Sequence, residues 1–349
     1  MRNKREVKIG NVTIGGENKI AVQSMTNTDT KDVKSTVAQI NALEKAGCEI
    51  VRSAFYDVDC TNYIKDIKKG INIPLVADIH FDYKIALGAI KNGIDKIRIN
   101  PGNIGEDWKI REVVKAANDF GVPIRVGGNT GSLPKDVLEK YGVCAKSLVL
   151  SAQRNIEILE DMNFRNIVVS LKSSDVLICR EAYEIMNEKN DYPLHLGVTE
   201  AGTILDSAIK SSACLGALLM EDIGDTIRIS VSGDPVSEIG VAKKLLKCCG
   251  KLSEGVEIVS CPTCARCTLD IETLAGKVAD YTKDIKKPLK IAVMGCAVNG
   301  PGEAKNADFG VAGGGGNGLI FEKGKTLKKV PESELFDNLK ELIEKYKND

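Results

Sequence analysis

From residue 19 onward, short runs rich in β-branched residues alternate with longer stretches whose apolar positions recur at helical spacing. The strand candidates are KIAVQSM, EIVRSAF, IPLVADI, DKIRINP, VPIRVGG, IVVSLKSS, PLHLGVT and TIRISVSG. Between them lie amphipathic patterns such as TVAQINALEKAG, YKIALGAIKNG, IREVVKAANDFG, AIKSSACLGALLMEDIG and EIGVAKKLLKCCG. Several end in Gly, the expected stop just past a helix C-terminus. Eight such alternations in roughly 250 residues predict an α/β fold, a (β/α)8 TIM-like barrel of parallel strands. An open doubly wound sheet is the alternative, but it usually has fewer strands and often a Gly-rich first turn, which is absent here. After Gly250 the pattern changes: VEIVS and LKIAVMG read as strands, LDIETLAGKVADYTKDI as a helix. A hairpin around LIFEKGKTLKKV and the helix SELFDNLKELIEKY follow. This predicts a small α+β domain, with residues 1–250 as the substrate-binding barrel and 256–349 as the second domain. GGGGNG at 313–318 reads as a turn, because no helix clearly follows to make it a phosphate loop.

Charge adds a constraint on partners. Among the 349 residues, Lys+Arg and Asp+Glu are 48 each, so no global field favours nucleic acid or an acidic membrane. An anion must be met by a local cluster of cations. MRNKREVKIG is charged and lacks an apolar stretch, arguing against a signal peptide, and no apolar run reaches membrane-spanning length. The expectation is a cytoplasmic protein whose eleven cysteines are reduced. Cys48, Cys144, Cys179, Cys214 and Cys248 lie in or beside apolar patterns, where Cys acts as a small hydrophobe.

Five strands carry a lone cation: Arg52, Arg98, Arg125, Lys172 and Arg228. Any one of them could reach solvent or pair with a carboxylate; five on different strands point to a shared task. Strand alternation places Arg98 with Asn100, Arg125 with Gly127 and Asn129, and Arg228 with Ser230. Inward residues near the strand ends face the barrel mouth. Unpaired cations there would be costly, and a ligand with two phosphates resolves the repulsion through Arg forks. Asp78 and His80 in ADIHFD, and His195, Thr199 and Glu200 in LHLGVTEAG, add acid–base groups. Glu200 is the preferred proton donor, Asp78 is assigned to a substrate hydroxyl, and both histidines are placed at strand ends.

The remaining chemistry sits near the C-terminus. Cys261, Cys264 and Cys267 form C-x-x-C-x-x-C, and Cys296 follows after one helix and a strand. Zinc would want two close Cys pairs, so one distant Cys favours an iron–sulfur cluster. The fourth ligand is either Cys267 or an oxygen such as that of Glu303. A carboxylate is weaker and more exchangeable on iron than thiolate, which would leave a position for a substrate oxygen.

VQSMTNT, LVADIHFDYKIAL, RINPGNIG, PLHLGVTEAG, SCPTC and GCAVNGPGEA together resemble the 4-hydroxy-3-methylbut-2-enyl diphosphate synthase family, of the bacterial two-domain type, from about residue 6 to the end. The resemblance implies a barrel plus a ferredoxin- or sulfite-reductase-like domain holding a 4Fe–4S cluster. It implies the two-electron reduction of 2-C-methyl-D-erythritol 2,4-cyclodiphosphate in the methylerythritol phosphate route to isoprenoids. By it, Cys261, Cys264, Cys296 and Glu303 hold the cluster, Glu303 giving way to the substrate, and Cys267 is a bystander. Arg52, Arg98, Arg125, Lys172 and Arg228 match the diphosphate pocket, with Asp78, His80, Asn129, Glu200 and Ser230 beside them. Gly128 and Thr130 depart from the family's pattern around Asn129. No nicotinamide or flavin fingerprint is present, so ferredoxin or flavodoxin should supply electrons.

Connectivity predicts a homodimer. The last barrel helix ends at the face opposite the mouth, and residues 251–255 reach at most about 18 Å. Passing the barrel wall needs about 25 Å, judged from a helix of some fifteen residues. A cluster domain should therefore cap the barrel of a partner subunit, as the resemblance also implies. Two rivals are an electron-transfer or sensor protein with a ligand-binding barrel, and a zinc-stabilised hydrolase. A radical enzyme using adenosylmethionine lacks its usual C-x-x-x-C-x-x-C.

Overall fold

A computed structural model describes residues 4–296, 302 and 304–348. The chain divides into two compact units, Met1–Leu252 and Ser253–Asp349. No helix among the described residues is long and apolar enough to cross a membrane.

The first unit is a closed ring of eight parallel strands. In chain order they are β3 (Ala21–Met25), β4 (Ile50–Ala54), β5 (Leu75–Asp78), β6 (Lys96–Arg98), β7 (Ile124–Asn129), β8 (Ile167–Lys172), β9 (His195–Leu196) and β10 (Thr226–Ile227). Each pairs with its sequence neighbour, β10 pairs back to β3, and a parallel bridge from Val169 to Leu194 closes the ring. Local chemistry fixes the helices between them. Asp32 accepts from the Ser35 amide to start Val33–Ala46, and Gly47, at φ +108°, ends it. Outward strand residues such as Ile97, Ile124 and Val169 pack under the helices in one continuous apolar core.

A hairpin of β1 (Val7–Ile9) and β2 (Val12–Ile14), joined through Gly10 at φ +56°, lies outside the pattern read from the sequence. Its Val7, Ile9 and Ile14 pack against Ala21, Ile50, Val76 and Val168, plugging the end of the barrel where the strands begin. Above the plug, register and side-chain alternation stack inward residues in layers drawn from alternate strands. The lower layer is Ile50, Lys96, Val168 and Thr226; the next is Gln23, Val76, Arg125 and His195. Arg52, Arg98, Ser170 and Arg228 lie above. The mouth is therefore cationic well down into the barrel.

The second unit is a five-stranded sheet in the order β11 (Val256–Ser260), β12 (Leu289–Met294), β13 (Phe309–Ala312), β14 (Asn317–Glu322) and β15 (Lys325–Pro331). The first three strands run parallel and the last two form an antiparallel hairpin through Lys323 and Gly324, both in the left-handed region. Helices Ile271–Thr282 and Leu335–Asn348 bury Ile271, Val278, Leu335, Leu339 and Ile343 against Ile291, Val293, Phe309 and Val311. The Gly-rich stretch turns directly into β14, with Gly315 and Gly316 at positive φ, and no helix follows it.

Candidate active site

The barrel mouth is built from strand ends. Asp78, at the end of β5, lies between two guanidinium groups: Arg98 Nη1 donates to its Oδ1 at 3.1 Å, and Arg52 Nε stands 3.7 Å from its Oδ2. Arg52 also points Nε and Nη2 at the Met25 sulfur, 3.2 and 2.9 Å away. Burial alone would raise the Asp78 carboxyl; the positive charges of Arg52, Arg98 and Arg125 override it and hold it at about 2. Burial, and behind it the like charges of Arg228 and Arg98 set against Asp78, bring Arg52 down to about 10, still charged at neutral pH. Arg98 Nη1 lies 2.9 Å from His80 Nε2. An arginine only donates, so His80 Nε2 accepts and its proton sits on Nδ1. Partial burial and the neighbouring guanidinium groups favour that neutral form.

Arg228 is held from a different direction. Glu238, 1% exposed on the helix Val236–Cys248, accepts from Arg228 Nη2 at 3.1 Å and Nε at 3.3 Å. It also accepts from Ser24 Oγ at 2.8 Å and from the Val231 amide at 3.2 Å. Sequence reasoning missed Glu238 because one Glu in the first turn of an amphipathic helix looks like an ordinary solvated residue. The position ten residues after Arg228, beside an apolar stripe, is the only signal it leaves.

Arg125 and Lys172 differ from the other three cations. Neither has an ion pair among the described residues, and Arg125, 1% exposed, leaves Nε and Nη1 without a hydrogen-bond partner. Lys172, half-buried at the end of β8, is pushed down by burial and then by the surrounding guanidinium groups. Space beside them depends on glycine. A Cβ on Gly127 would lie 1.7 Å from the Ser170 carbonyl oxygen, and one on Gly197 would lie 3.2 Å from Lys172 Nζ. Two carboxylates thus serve three guanidinium groups, and two further cations have none. That imbalance favours a multiply charged anion.

The other expected residues are placed less uniformly. Asn129 ends β7, but its Oδ1 caps the next turn by accepting from Gly131 N at 3.0 Å. Ser230 lies beyond β10 and lends its carbonyl to Ser207 Oγ. Glu200 is exposed in the loop after β9, with a left-handed φ of +53° that non-glycine residues seldom adopt. His195 is not at the mouth: it begins β9, is fully buried in the middle layer and places Nδ1 2.7 Å from Thr226 Oγ1. The expectation of two strand-end histidines is corrected to one, His80, because β9 starts rather than ends at His195.

In the second unit, Cys261 follows β11 and Cys296 follows the neighbouring parallel strand β12. The Gly295 amide donates to Cys261 Sγ at 3.2 Å. Cys264 is exposed, and the Arg266 amide, followed by its side chain, lowers its thiol, which favours the thiolate a metal requires. Cys267 is otherwise engaged: its thiol donates to the Leu269 carbonyl at 3.1 Å and packs against the helix-covered core. No three Cys, His or acidic side chains converge to metal distance among the described residues, and Glu303 lies outside them. Cysteines at the ends of adjacent paired strands, a third on the intervening loop and backbone amides aimed at sulfur nevertheless suit an iron–sulfur group.

These features define a class: a (β/α)8 barrel with a deep cation-lined mouth, joined in one chain to an α+β unit with cysteines at its strand ends. The chain belongs to the GcpE family, matching its TIM-barrel domain over residues 4–243 and its C-terminal domain over residues 257–345. It is 53% identical over 345 residues to a protein of Thermodesulfovibrio yellowstonii, covering 99% of each chain. Identity to a Caldanaerobacter subterraneus relative is 56% over 342 residues, covering 98% of this chain and 96% of the relative. The Bacillus subtilis relative is 55% identical over 341 residues, with 97% and 90% covered. All three bear the name 4-hydroxy-3-methylbut-2-en-1-yl diphosphate synthase (flavodoxin). Among solved structures, Yersinia pestis dihydropteroate synthase superposes with a TM-score of 0.51 at 13% identity, covering 70% of this chain and 97% of that one. An N-acetylneuraminic acid synthetase from Leptospira borgpetersenii gives 0.51 at 12%, covering 71% and 90%. At that identity they share the fold alone.

Proposed function

We propose that the protein reduces 2-C-methyl-D-erythritol 2,4-cyclodiphosphate by two electrons to (E)-4-hydroxy-3-methylbut-2-enyl diphosphate, opening the cyclic diphosphate and releasing a hydroxyl as water. The observation that carries this reading is the mouth, where among the described residues Arg125 and Lys172 have no carboxylate and Arg52, Arg98 and Arg228 are oriented by only two. The full-length likeness to enzymes of that name supports the reaction.

Each residue then has a task. Arg52, Arg98, Arg125, Lys172 and Arg228 bind the phosphate oxygens. Asp78 and Glu238 hold three of the guanidinium groups in fixed orientations, so the mouth is organised before the ligand arrives. Asp78 keeps a second role toward a substrate hydroxyl, and Asn129 and Ser230 stand at the rim. His80 offers an Nδ1 proton, and Glu200 is the acid that protonates the departing hydroxyl. Cys261, Cys264 and Cys296, with Glu303, would hold a 4Fe–4S cluster, which supplies electrons and a Lewis-acidic iron. Cys267 stays with Leu269. Electrons come from flavodoxin, as in the relatives' names, with ferredoxin as the alternative donor. The working form is a cytoplasmic homodimer in which one subunit's cysteine-bearing unit caps its partner's barrel, because residues 251–255 are too short for self-capping. A closed mouth excludes water from the reduced ligand.

Protein purified without oxygen and supplied with reduced flavodoxin should convert the cyclodiphosphate to the linear diphosphate. Mixing Cys296→Ala with Arg125→Ala subunits should restore part of the activity that each lacks alone. Iron-loaded protein that binds the cyclodiphosphate and returns it unchanged would refute the reaction. Verified mixed dimers without activity would refute the capping arrangement.

A further inference from the structure

Below the diphosphate-binding mouth the barrel is polar at a depth where such barrels are usually filled with branched aliphatic side chains. Gln23 Nε2 and Oε1, Lys96 Nζ, Arg125 Nε and Nη1, and His195 Nε2 are buried there without a hydrogen-bond partner among the described residues. Lys96 is the deepest. It is 0% exposed and shares its layer with Ile50, Val168 and Thr226, directly above the apolar plug.

The charges facing Lys96 are unfavourable from nearly every strand. Arg125 on the neighbouring strand β7, and after it Arg52 on β4, add positive charge that disfavours its ammonium form. Arg98 on its own strand and Arg228 beyond β10 lie higher and are also cationic, and Lys172 on β8 lies higher too, its charged form disfavoured by burial and then by Arg52 and Arg125. His195 on β9 is buried, and burial followed by the charge of Arg125 disfavours its ring as a cation. The carboxylate of Asp78 on β5 stands three levels above and is already engaged by Arg98 and Arg52. Glu238 is turned to Arg228 and Ser24. An ammonium at Lys96 would carry three unsatisfied N–H groups beside two like charges, whereas an amine avoids the larger part of that penalty.

We propose that Lys96 is an uncharged amine in the free protein and takes up a proton when a diphosphate fills the mouth, so that anion binding and proton uptake by the barrel interior are coupled. The physical link is Arg52 and Arg125. Burial is the first cause that disfavours the ammonium and the charges of Arg125 and Arg52 add to it; a bound dianion cancels that added part, and a proton can then return to Nζ. Free enzyme, diphosphate dianion and one solvent proton thus give a complex carrying Lys96 as the ammonium. Lys96 lies two layers below Arg52 and Arg98, which makes it a positioning residue rather than one that touches the ligand. This inference rests on the reading of the mouth as a diphosphate site.

The test is calorimetry on the oxidised, cluster-loaded full chain, titrated with the cyclodiphosphate in buffers of different ionisation enthalpy near pH 7.5. The wild type should take up about one proton more per ligand bound than Lys96→Met does. Should the Met variant fail to fold, Lys96→Gln serves in its place. Lysine-selective 15N NMR provides an arm that needs no ligand: the Lys96 ζ-nitrogen should resonate as an amine in the free protein and as an ammonium once saturated. An ammonium signal in the free protein overturns the proposal, as does equal proton uptake by wild type and variant. If the cyclodiphosphate does not bind at all, the reading of the mouth falls and the coupling with it, whereas binding without differential uptake removes the coupling alone.

Discussion

Replacing Asp78 by Asn tests whether the mouth is an electrostatic device. Asp78 is 5% exposed and its carboxyl is held at about 2 rather than the usual 3.8. At about 1.4 kcal/mol for each tenfold change, that lowering is worth about 2 kcal/mol of folding stability at neutral pH. The lowered value for Arg52 points the other way, toward a cost, but its first cause is burial and the like charges of Arg228 and Arg98 add to it. Those persist when Asp78 is removed, so the Asp78 side measures the effect of the substitution. Because an amide oxygen can still accept from Arg98, the expected loss is about 2–4 kcal/mol, overlapping the range for a broken buried pair.

The pH dependence gives the sign. A carboxyl whose folded value lies below its unfolded one contributes fully above the unfolded value and loses that contribution as pH falls toward the folded value. The gap between wild type and Asp78→Asn should therefore be full at pH 7 and shrink by about 1 kcal/mol at pH 3. Urea denaturation of anaerobically handled protein at both pH values measures it. Inorganic pyrophosphate should stabilise the variant more than the wild type, since it supplies the missing negative charge. A loss below about 0.5 kcal/mol, or a gap equal at both pH values, would refute the electrostatic reasoning.

Three further outcomes are expected. Cys267→Ser should keep the wild-type iron and sulfide content, whereas Cys296→Ser should lose it; equal losses by elemental analysis would make Cys267 a ligand. Glu238→Gln should raise the KM for the cyclodiphosphate by roughly tenfold or more, the equivalent of one weakened charged hydrogen bond, with far-UV circular dichroism unchanged; an unaltered KM would remove Glu238 from the site. Lys96→Met should stabilise the protein at pH 7 by about 1–3 kcal/mol, the cost of burying an unpaired polar group. The unfolded chain binds the Lys96 proton more readily than the folded one, so wild-type stability includes a component that rises with pH, and the variant's profile should be flatter.

What the sequence disclosed depended on how far each element departs from a solvated surface. Alternation in VPIRVGG and IVVSLKSS placed Arg125 and Lys172 inward, because a charge inside an apolar strand must be met by a partner or a ligand within the barrel. The plug strands Val7–Ile9 and Val12–Ile14 were too short for any period to register. Lys96 opens β6, where a lysine ordinarily snorkels to water; only the closure of the ring puts it beneath two arginines. His195 was assigned the wrong depth because β9 is two residues long and starts with it. Cys267 was separable from the other cysteines only by resemblance; spacing alone left it as a candidate fourth ligand.

The most direct measurement is an electron count. Protein loaded with iron and sulfide under nitrogen, reduced stoichiometrically and mixed with 2-C-methyl-D-erythritol 2,4-cyclodiphosphate, should yield one linear hydroxymethylbutenyl diphosphate for every two electrons withdrawn, and Arg125→Ala should withdraw none. Reduced protein that keeps its electrons in the presence of bound cyclodiphosphate would contradict the account.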